Sequence, residues 1–165
     1  MKDEPRITVS LTGQTLTLWE GSRAAATWAV STARRGAGEQ YGSEQTPRGR
    51  HVVRARIGAG LPAGAVLVGR RPTGEIWSPE LARREPHRDW ILTRILWLSG
   101  CEPGRNRLGD VDSMRRFIYI HGTPDTEPMG VPASHGCIRM RNDDVVDLFD
   151  RVRPGTVVTI EENTP

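Results

Sequence analysis

The sequence has no long hydrophobic run, and only 2 of its 165 residues are cysteines. No apolar stretch approaches the roughly 18 residues that a transmembrane helix needs, so neither a membrane span nor a membrane partner is predicted. The polar N-terminal residues are not followed by the apolar core of a secretion signal. These absences predict a cytoplasmic protein; the alternative is the periplasm, if an export signal has been removed from the chain.

Lysine is nearly absent as well. Lys2 is the only lysine, the other basic residues are arginines, and the formal net charge is +3. Arginine pairs such as Arg70-Arg71 raise the question of nucleic acid binding, but acidic residues interleave with them and no recognition motif is present. Nucleic acid is therefore not a predicted partner. Scattered surface arginines suit a small acidic substrate equally well, because a positive field attracts anions.

The two cysteines, Cys101 and Cys137, are too few for a disulfide scaffold. In a chain without an export signal, two free thiols are a better interpretation than one bridge. Cys101 has no motif around it and is interpreted as a small buried apolar residue. No cofactor is predicted.

Glycine and proline are abundant, with 18 and 12 residues, which predicts a turn-rich fold of short strands. No linker or repeat divides the chain, so residues 1–165 are predicted to form a single domain. The expected strands are 6–10, 14–20, 24–32, 51–57, 65–69, 90–98, 116–121 and 156–160. The segments expected to be irregular are 33–48, 70–89 and 99–113. One helix is expected to begin at Asn142 as its N-cap, and the fold class is mainly β, a sandwich or partly open barrel.

The strand that is expected to end at His121 has a useful geometry. Side chains alternate between the faces of a strand, so Tyr119 and His121 share one face while Ile118 and Ile120 share the other. If the isoleucines pack into the core, His121 emerges on the opposite face at the end of the strand. A long loop then leads to Cys137.

The strongest chemical signal in the chain is a cysteine with two histidines nearby. A thiol is a strong nucleophile only as a thiolate, and an imidazole can accept its proton. His135 would have to fold back sharply to reach the Cys137 sulfur, whereas His121 can approach it from a rigid strand. Gly136 has no Cβ to obstruct a reacting carbonyl, so the amides of Gly136 and Cys137 are candidates for an oxyanion hole.

Other interpretations of these residues remain open. Cys137, His121 and His135 could bind zinc, but their spacing matches no common zinc signature and no fourth ligand is evident, so no metal is predicted. The chain could also be a binding module without catalysis, which the intact pair of Cys137 and His121 argues against. On the residues alone, catalysis by the thiol and a purely structural role for it are equally supported.

Residues 134–140, SHGCIRM, together with the earlier pair 121–122, HG, resemble the signature of the L,D-transpeptidase catalytic domain, also called the YkuD domain. Residues 14–16, QTL, resemble the opening hairpin of this family. Residues 30–32, VST, and 46–49, TPRG, resemble its early strand and its TPxG turn. The resemblance covers nearly the whole chain, and the agreement of several ordered motifs makes it specific.

The resemblance implies a β-sandwich with one main C-terminal helix and long active-site loops. It implies that Cys137 attacks a peptidoglycan tetrapeptide stem at the bond between the L-centre of its third residue, usually a diamino acid, and the terminal D-Ala. His121, oriented by the Gly122 carbonyl, would take the thiol proton and pass it to the leaving amine. The residues that would shape the oxyanion site are Ser134, His135 and Gly136.

The resemblance suggests two further site residues. Arg139 would hold a substrate carboxylate or brace the loop, and arginine suits both roles equally. Tyr119 would line the cleft, although a packed aromatic is the better interpretation. Carbapenem-type β-lactams are also expected to acylate the active thiol.

Two products can follow from a covalent intermediate of this kind. If the acceptor is the amine of another stem, the product is a cross-link; if it is water, the product is a tripeptide and the enzyme is an L,D-carboxypeptidase. The sequence shows no export signal, anchor or wall-binding module, features that are common in the family. Hydrolysis of soluble muropeptides in cytoplasmic murein recycling is therefore favoured over cross-linking of the wall.

Overall fold

The computed structural model of the chain describes residues 4–163, which are mainly β with one main helix, as predicted. The strands are β1 (Arg6–Ser10), β2 (Thr15–Glu20), β3 (Arg23–Ala29), β4 (Gly49–Ile57), β5 (Ala65–Val68), β6 (Arg71–Ile76), β7 (Ile91–Gly100), β8 (Tyr119–Gly122), β9 (Ile138–Met140) and β10 (Val157–Glu161). The helices are a short α1 (Pro79–Arg84) and the longer α2 (Asn142–Arg151). No helix within residues 4–163 is long and apolar enough to span a membrane.

Most of the strands form one continuous sheet in the order β3-β2-β1-β10-β4-β7-β5-β6. β1 and β2 form the predicted antiparallel hairpin, and β10 pairs in parallel with β1. The sheet branches at β7, because β8 also pairs with β7 and the short β9 pairs in parallel with β8. This branch positions the two candidate site residues, since His121 lies in β8 and Cys137 directly precedes β9.

The main hydrophobic core packs against one face of this branch. Ile120 of β8, Ile138 of β9 and Phe149 of α2 are all buried in it. Because side chains alternate along a strand, Tyr119 and His121 lie on the opposite face of β8, as the sequence predicted. That face carries a smaller apolar cluster formed by Leu67, Ile95 and Tyr119.

The expectation that residues 70–89 are irregular is wrong, because they contain β6 and α1. The Ser78 hydroxyl caps α1 by accepting a 3.1 Å hydrogen bond from the amide three residues later, and Pro79 occupies the first turn, where an N–H is not needed. In the turn between β5 and β6, Gly69 and Arg70 have φ of 55° and 64°. Positive φ at both positions defines a type I′ hairpin turn, and arginine is an unusual residue there, which conceals the turn in the sequence.

Two boundaries near the site also differ from expectation. β8 begins at Tyr119, three residues later than predicted, because Phe117 has a left-handed φ of 55° that interrupts the extended chain. Asn142 is not the N-cap of α2; Arg141 has that position. The Asn142 side chain instead accepts a 2.6 Å hydrogen bond from the Thr93 hydroxyl, which ties α2 to β7.

A buried histidine connects β4 to the irregular segment that follows β7. His51 donates from Nδ1 to the carbonyl oxygen of Gly49 at 3.0 Å, and its Nε2 accepts from the Ser113 hydroxyl at 2.8 Å. Burial lowers the pKa of His51 to about 4. The imidazole is therefore neutral in the folded protein at physiological pH.

We expect His51 to make the protein less stable as the pH falls from 7 to 5. The unfolded chain protonates this histidine near pH 6.5, whereas the folded chain does so only near pH 4. Between pH 7 and pH 5 the unfolded state therefore binds a proton at His51 that the folded state does not bind. The contribution of His51 should lower the free energy of unfolding by about 2 kcal/mol over this range. Urea unfolding at both pH values measures the change. His51→Gln should lose this part of the pH dependence, and the exposed control His87→Gln should keep it; an unchanged profile in His51→Gln would contradict the assignment.

Candidate active site

One cleft of about 380 Å³ contains both His121 and Cys137. In the parallel pairing of β8 with β9, His121 lies opposite Arg139, and Cys137 is two residues before Arg139. Alternation therefore turns these three side chains to the same face, away from the core. The predicted site residues that line the cleft are Tyr119, His121, Ser134, His135, Cys137 and Arg139.

Main-chain groups hold the Cys137 sulfur at rest. Sγ donates to the carbonyl oxygen of Phe117 at 3.3 Å and accepts from the N–H of Tyr119 at 3.3 Å. Burial raises the pKa of the Cys137 thiol to about 12, and the Tyr119 N–H opposes this only in part. The thiol is thus protonated at neutral pH and needs a base before it can act as a nucleophile.

His121 is buried and holds the tautomer that a general base requires. Its Nδ1 lies 2.6 Å from the carbonyl oxygen of Gly122, which can only accept, so Nδ1 carries the proton and Nε2 carries the basic lone pair. Burial lowers the pKa of His121 below its ordinary value, although the bond to Gly122 opposes this. The ring is therefore neutral and ready to accept a proton.

Close packing at Gly122 protects this orientation. A Cβ at Gly122 would lie 2.6 Å from the carbonyl oxygen of Leu92 and 3.2 Å from Cβ of Thr93. Any side chain at this position would push β8 away from β7. It would also move the carbonyl that sets the tautomer of His121.

Two hydroxyl groups build the turn before Cys137. Ser134 Oγ donates to the carbonyl oxygen of Cys137 at 2.6 Å and accepts from the N–H of Gly136 at 3.2 Å. Thr46, from the TPRG turn, donates to the carbonyl oxygen of Gly136 at 2.9 Å. The φ of Gly136 is 131°, which a side chain would disfavour. Because the Gly136 amide has a partner at rest, the amide of Cys137 is the better candidate for an oxyanion donor.

Arg139 is buried and joins the cleft wall to the loop that precedes Cys137. Its guanidinium donates to the carbonyl oxygen of Ala133 at 3.3 Å and to the carboxylate of Asp89 at 3.4 Å, and a carboxylate oxygen of Glu127 lies 3.8 Å away. These contacts support the bracing role. The guanidinium also lines the cleft, so carboxylate binding stays a prediction. His135 is exposed at the edge of the cleft.

Three charged residues of the cleft were not among the predicted site residues: Arg70, Asp89 and Arg116. Arg116 donates to the carbonyl oxygens of Gly38 at 3.3 Å and Gln45 at 2.6 Å, which holds the glycine-rich loop behind Cys137. These residues come from separate segments of the chain, and no motif connects them. The only sequence signal for the two arginines was the general abundance of that residue, and Asp89 had none.

Cys101 lies outside the cleft, and neither cysteine is in a disulfide. Within the part of the chain that the structure describes, no group of three or more His, Cys, Asp or Glu side chains is arranged to hold a metal ion. Cys137, His121 and His135 thus do not form the three-ligand set that zinc would need.

Comparison with known sequences gives a match along almost the entire chain. The sequence model of the L,D-transpeptidase catalytic domain, YkuD, matches residues 4–160. ErfK/SrfK of Salmonella typhimurium, named a probable L,D-transpeptidase, is 51% identical over 112 residues, which are 61% of this chain and 36% of that protein. The YkuD protein of Bacillus licheniformis is 30% identical over 156 residues, which are 94% of this chain and 64% of that protein.

Solved structures share the predicted fold. Bd1075 of Bdellovibrio bacteriovorus has a TM-score of 0.60 at 16% identity, over 99% of this chain and 50% of that one. L,D-transpeptidase 3 of Mycobacterium tuberculosis, in complex with a faropenem-derived adduct, has a TM-score of 0.56 at 16% identity, over 96% of this chain and 61% of that one. At these identities the likeness concerns the fold alone. The chain spans between about one third and two thirds of the length of these four proteins.

Proposed function

Because the chain belongs to the family of L,D-transpeptidase catalytic domains, we propose that it is a cysteine acyltransferase that acts on peptidoglycan stem peptides. The bond that reacts joins the L-centre of the third residue, a diamino acid, to the terminal D-Ala of a tetrapeptide. Cys137 carries the peptide as a thioester, and His121 moves the proton.

One observation supports this proposal above the others. The buried, neutral His121 has its Nδ1 proton committed to Gly122, which leaves Nε2 as a base in the same cleft as the protonated Cys137 thiol. Burial raises the pKa of the thiol and lowers that of the imidazole, so both groups rest uncharged. This arrangement suits a pair that moves one proton during the reaction, rather than a preformed thiolate and imidazolium.

The proposed reaction begins when the Cys137 thiol leaves the Phe117 carbonyl and gives its proton to Nε2 of His121. The sulfur attacks the carbonyl carbon, and the negative charge that develops on the oxygen is stabilised by the amide of Cys137. The C–N bond to D-Ala then breaks, and Nε2 returns the proton to the leaving amine. The peptide remains bound to Cys137 as a thioester.

The acceptor decides the product. Water, deprotonated by His121, would release a tripeptide, and this L,D-carboxypeptidase reaction in cytoplasmic recycling is the outcome that the sequence favoured. It stays a prediction, and so does the location. A stem amine would instead form a cross-link, and this second outcome is supported by the relatives, which are named as probable or putative L,D-transpeptidases.

Mass spectrometry of a digest of murein tetrapeptide tests the proposal. Purified protein is expected to convert the tetrapeptide to a tripeptide that is lighter by one alanine residue. A dimer that contains two stems would instead indicate transpeptidation. If the protein binds the tetrapeptide but forms neither product, it is an inert muropeptide-binding module, and the proposed catalysis is wrong.

A further inference from the structure

Arg70 reaches the cleft from an unusual position. It is the second residue of the β5–β6 turn, and its φ of 64° is one that a side chain disfavours. Asparagine and glycine are the usual residues in such turns. The fold therefore holds Arg70 in a backbone conformation that costs free energy.

Aromatic residues hold the Arg70 guanidinium in one orientation. Its central carbon lies 4.6 Å from the ring centre of Trp97 and 5.1 Å from that of Phe117. Its Nη1 donates to the Tyr119 hydroxyl at 3.0 Å, and Tyr119 itself packs edge-on against Trp97 with the ring centres 5.9 Å apart. A group that is already ordered loses little conformational freedom when a ligand binds.

Arg70 is also the arginine of the cleft whose guanidinium has the fewest hydrogen-bond partners within the described residues. Arg139 pairs with Asp89, and Arg116 donates to main-chain carbonyl oxygens of the neighbouring loop. Within residues 4–163, Arg70 forms no ion pair, and its one side-chain hydrogen bond is to the neutral hydroxyl of Tyr119. Most of the donors of its guanidinium are thus available to a ligand.

Tyr119 supplies a second donor beside it. Since Arg70 donates to the Tyr119 oxygen, the hydroxyl proton is free to point at another acceptor. Burial raises the pKa of Tyr119, so the hydroxyl keeps this proton at neutral pH. The two oxygens of a carboxylate can accept from a guanidinium and from a neighbouring hydroxyl at the same time.

We propose that Arg70 and the Tyr119 hydroxyl form a binding site for a carboxylate of the stem peptide. The identity of the ligand rests on the proposed function. The site is close to the chemistry, because the backbone N–H of Tyr119 contacts the Cys137 sulfur at 3.3 Å. The carboxylate belongs either to the terminal D-Ala or to a residue earlier in the stem. Arg70 would favour peptides in which this group is a free, ionised carboxylate over peptides in which it is amidated.

Steady-state kinetics with three peptides tests this site: the tetrapeptide, its C-terminal amide, and a tetrapeptide amidated at the internal carboxylate. Arg70→Gln is expected to raise KM for the tetrapeptide by about 10- to 100-fold, the range for loss of a charged hydrogen bond, with a smaller change in kcat. Arg70→Lys should recover part of this loss. One of the two amidated peptides should have a higher KM than the tetrapeptide with wild type but not with Arg70→Gln. The carboxylate that is amidated in that peptide is the one that Arg70 binds.

Arg71→Gln is the matched control, because Arg71 is exposed on β6. This substitution is expected to leave KM unchanged. Tyr119→Phe removes only the hydroxyl and should raise KM less than Arg70→Gln does. Thermal unfolding shows whether Arg70→Gln protein is folded. If it is not, Tyr119→Phe provides the test. Equal KM values for wild type, Arg70→Gln and Tyr119→Phe with all three peptides would overturn the site.

Failure of the proposed function can be distinguished from failure of this site. If wild type turns over none of the peptides, the proposed function is wrong, and calorimetric titration of Cys137→Ala protein with the same peptides decides the site separately. The site is supported if amidation of one carboxylate weakens peptide binding to Cys137→Ala protein and if the added substitution Arg70→Gln abolishes that binding. The site is contradicted if the affinity changes neither with amidation nor with Arg70→Gln.

Discussion

Cys137→Ala protein is expected to release no D-Ala from murein tetrapeptide and to form no cross-linked dimer. Without the sulfur, no thioester can form and His121 has no thiol proton to accept. Where a nucleophile and its base act as a unit, removal of the nucleophile costs several orders of magnitude, so we expect a rate lower by about 10⁴-fold or more. Mass spectrometry of a timed digest measures the loss.

Cys101→Ser is the matched control, because Cys101 is the other free thiol and lies outside the cleft. It should keep wild-type activity. A carbapenem provides a second readout, since the active thiol is expected to open its β-lactam ring and form one covalent adduct. That adduct should appear in wild type and Cys101→Ser but not in Cys137→Ala. An adduct that maps to Cys101, or an active Cys137→Ala protein, would show that the nucleophile is misassigned.

His121→Gln is expected to lower kcat/KM by about 10²- to 10⁴-fold at neutral pH, the range for removal of a general base. Burial raises the pKa of the Cys137 thiol to about 12, so without the imidazole only a minute fraction is thiolate at pH 7. Glutamine roughly preserves the size of the side chain. The experiment is steady-state kinetics with the tetrapeptide, after thermal unfolding has shown that the variant folds.

The pH profile separates a base from a merely structural residue. The active form of wild type has neutral His121, so kcat/KM must fall as the pH drops through the pKa of His121. Because burial lowers this pKa from 6.5, wild type should retain more than half of its maximal kcat/KM at pH 6.5 and lose activity only in more acidic solution. In His121→Gln the residual rate should rise about tenfold per pH unit above neutrality, as the thiolate fraction grows. If the two proteins share one profile, His121 is not the base.

The candidate nucleophile and the candidate base could be predicted because their signals are local. The alternation around Ile120 shows which face His121 occupies, and this pattern persists although β8 starts later than expected. The hairpin of β1 and β2 was predictable for the same reason, since each strand shows its own alternation. β9 is too short, at three residues, to produce such a signal.

Features that depend on distant contacts could not be predicted. Asn142 has a typical N-cap side chain, yet the Thr93 hydroxyl engages it and Arg141 takes the cap position. Arg70 stands in a turn that favours other residues, and only its contact with Tyr119 and the neighbouring rings explains its presence.

The sequence by itself indicated the family, the mainly β fold and the candidate reactive groups, Cys137 and His121. The family follows from the resemblance of several ordered motifs, and the strands follow from periods of two, which depend on near neighbours along the chain. Only the tertiary structure decided that both groups rest uncharged, that Gly122 sets the tautomer of His121, and that Arg70 enters the same cleft. The physical reason is that burial and hydrogen bonding depend on which segments meet in space, and those segments lie far apart along the chain.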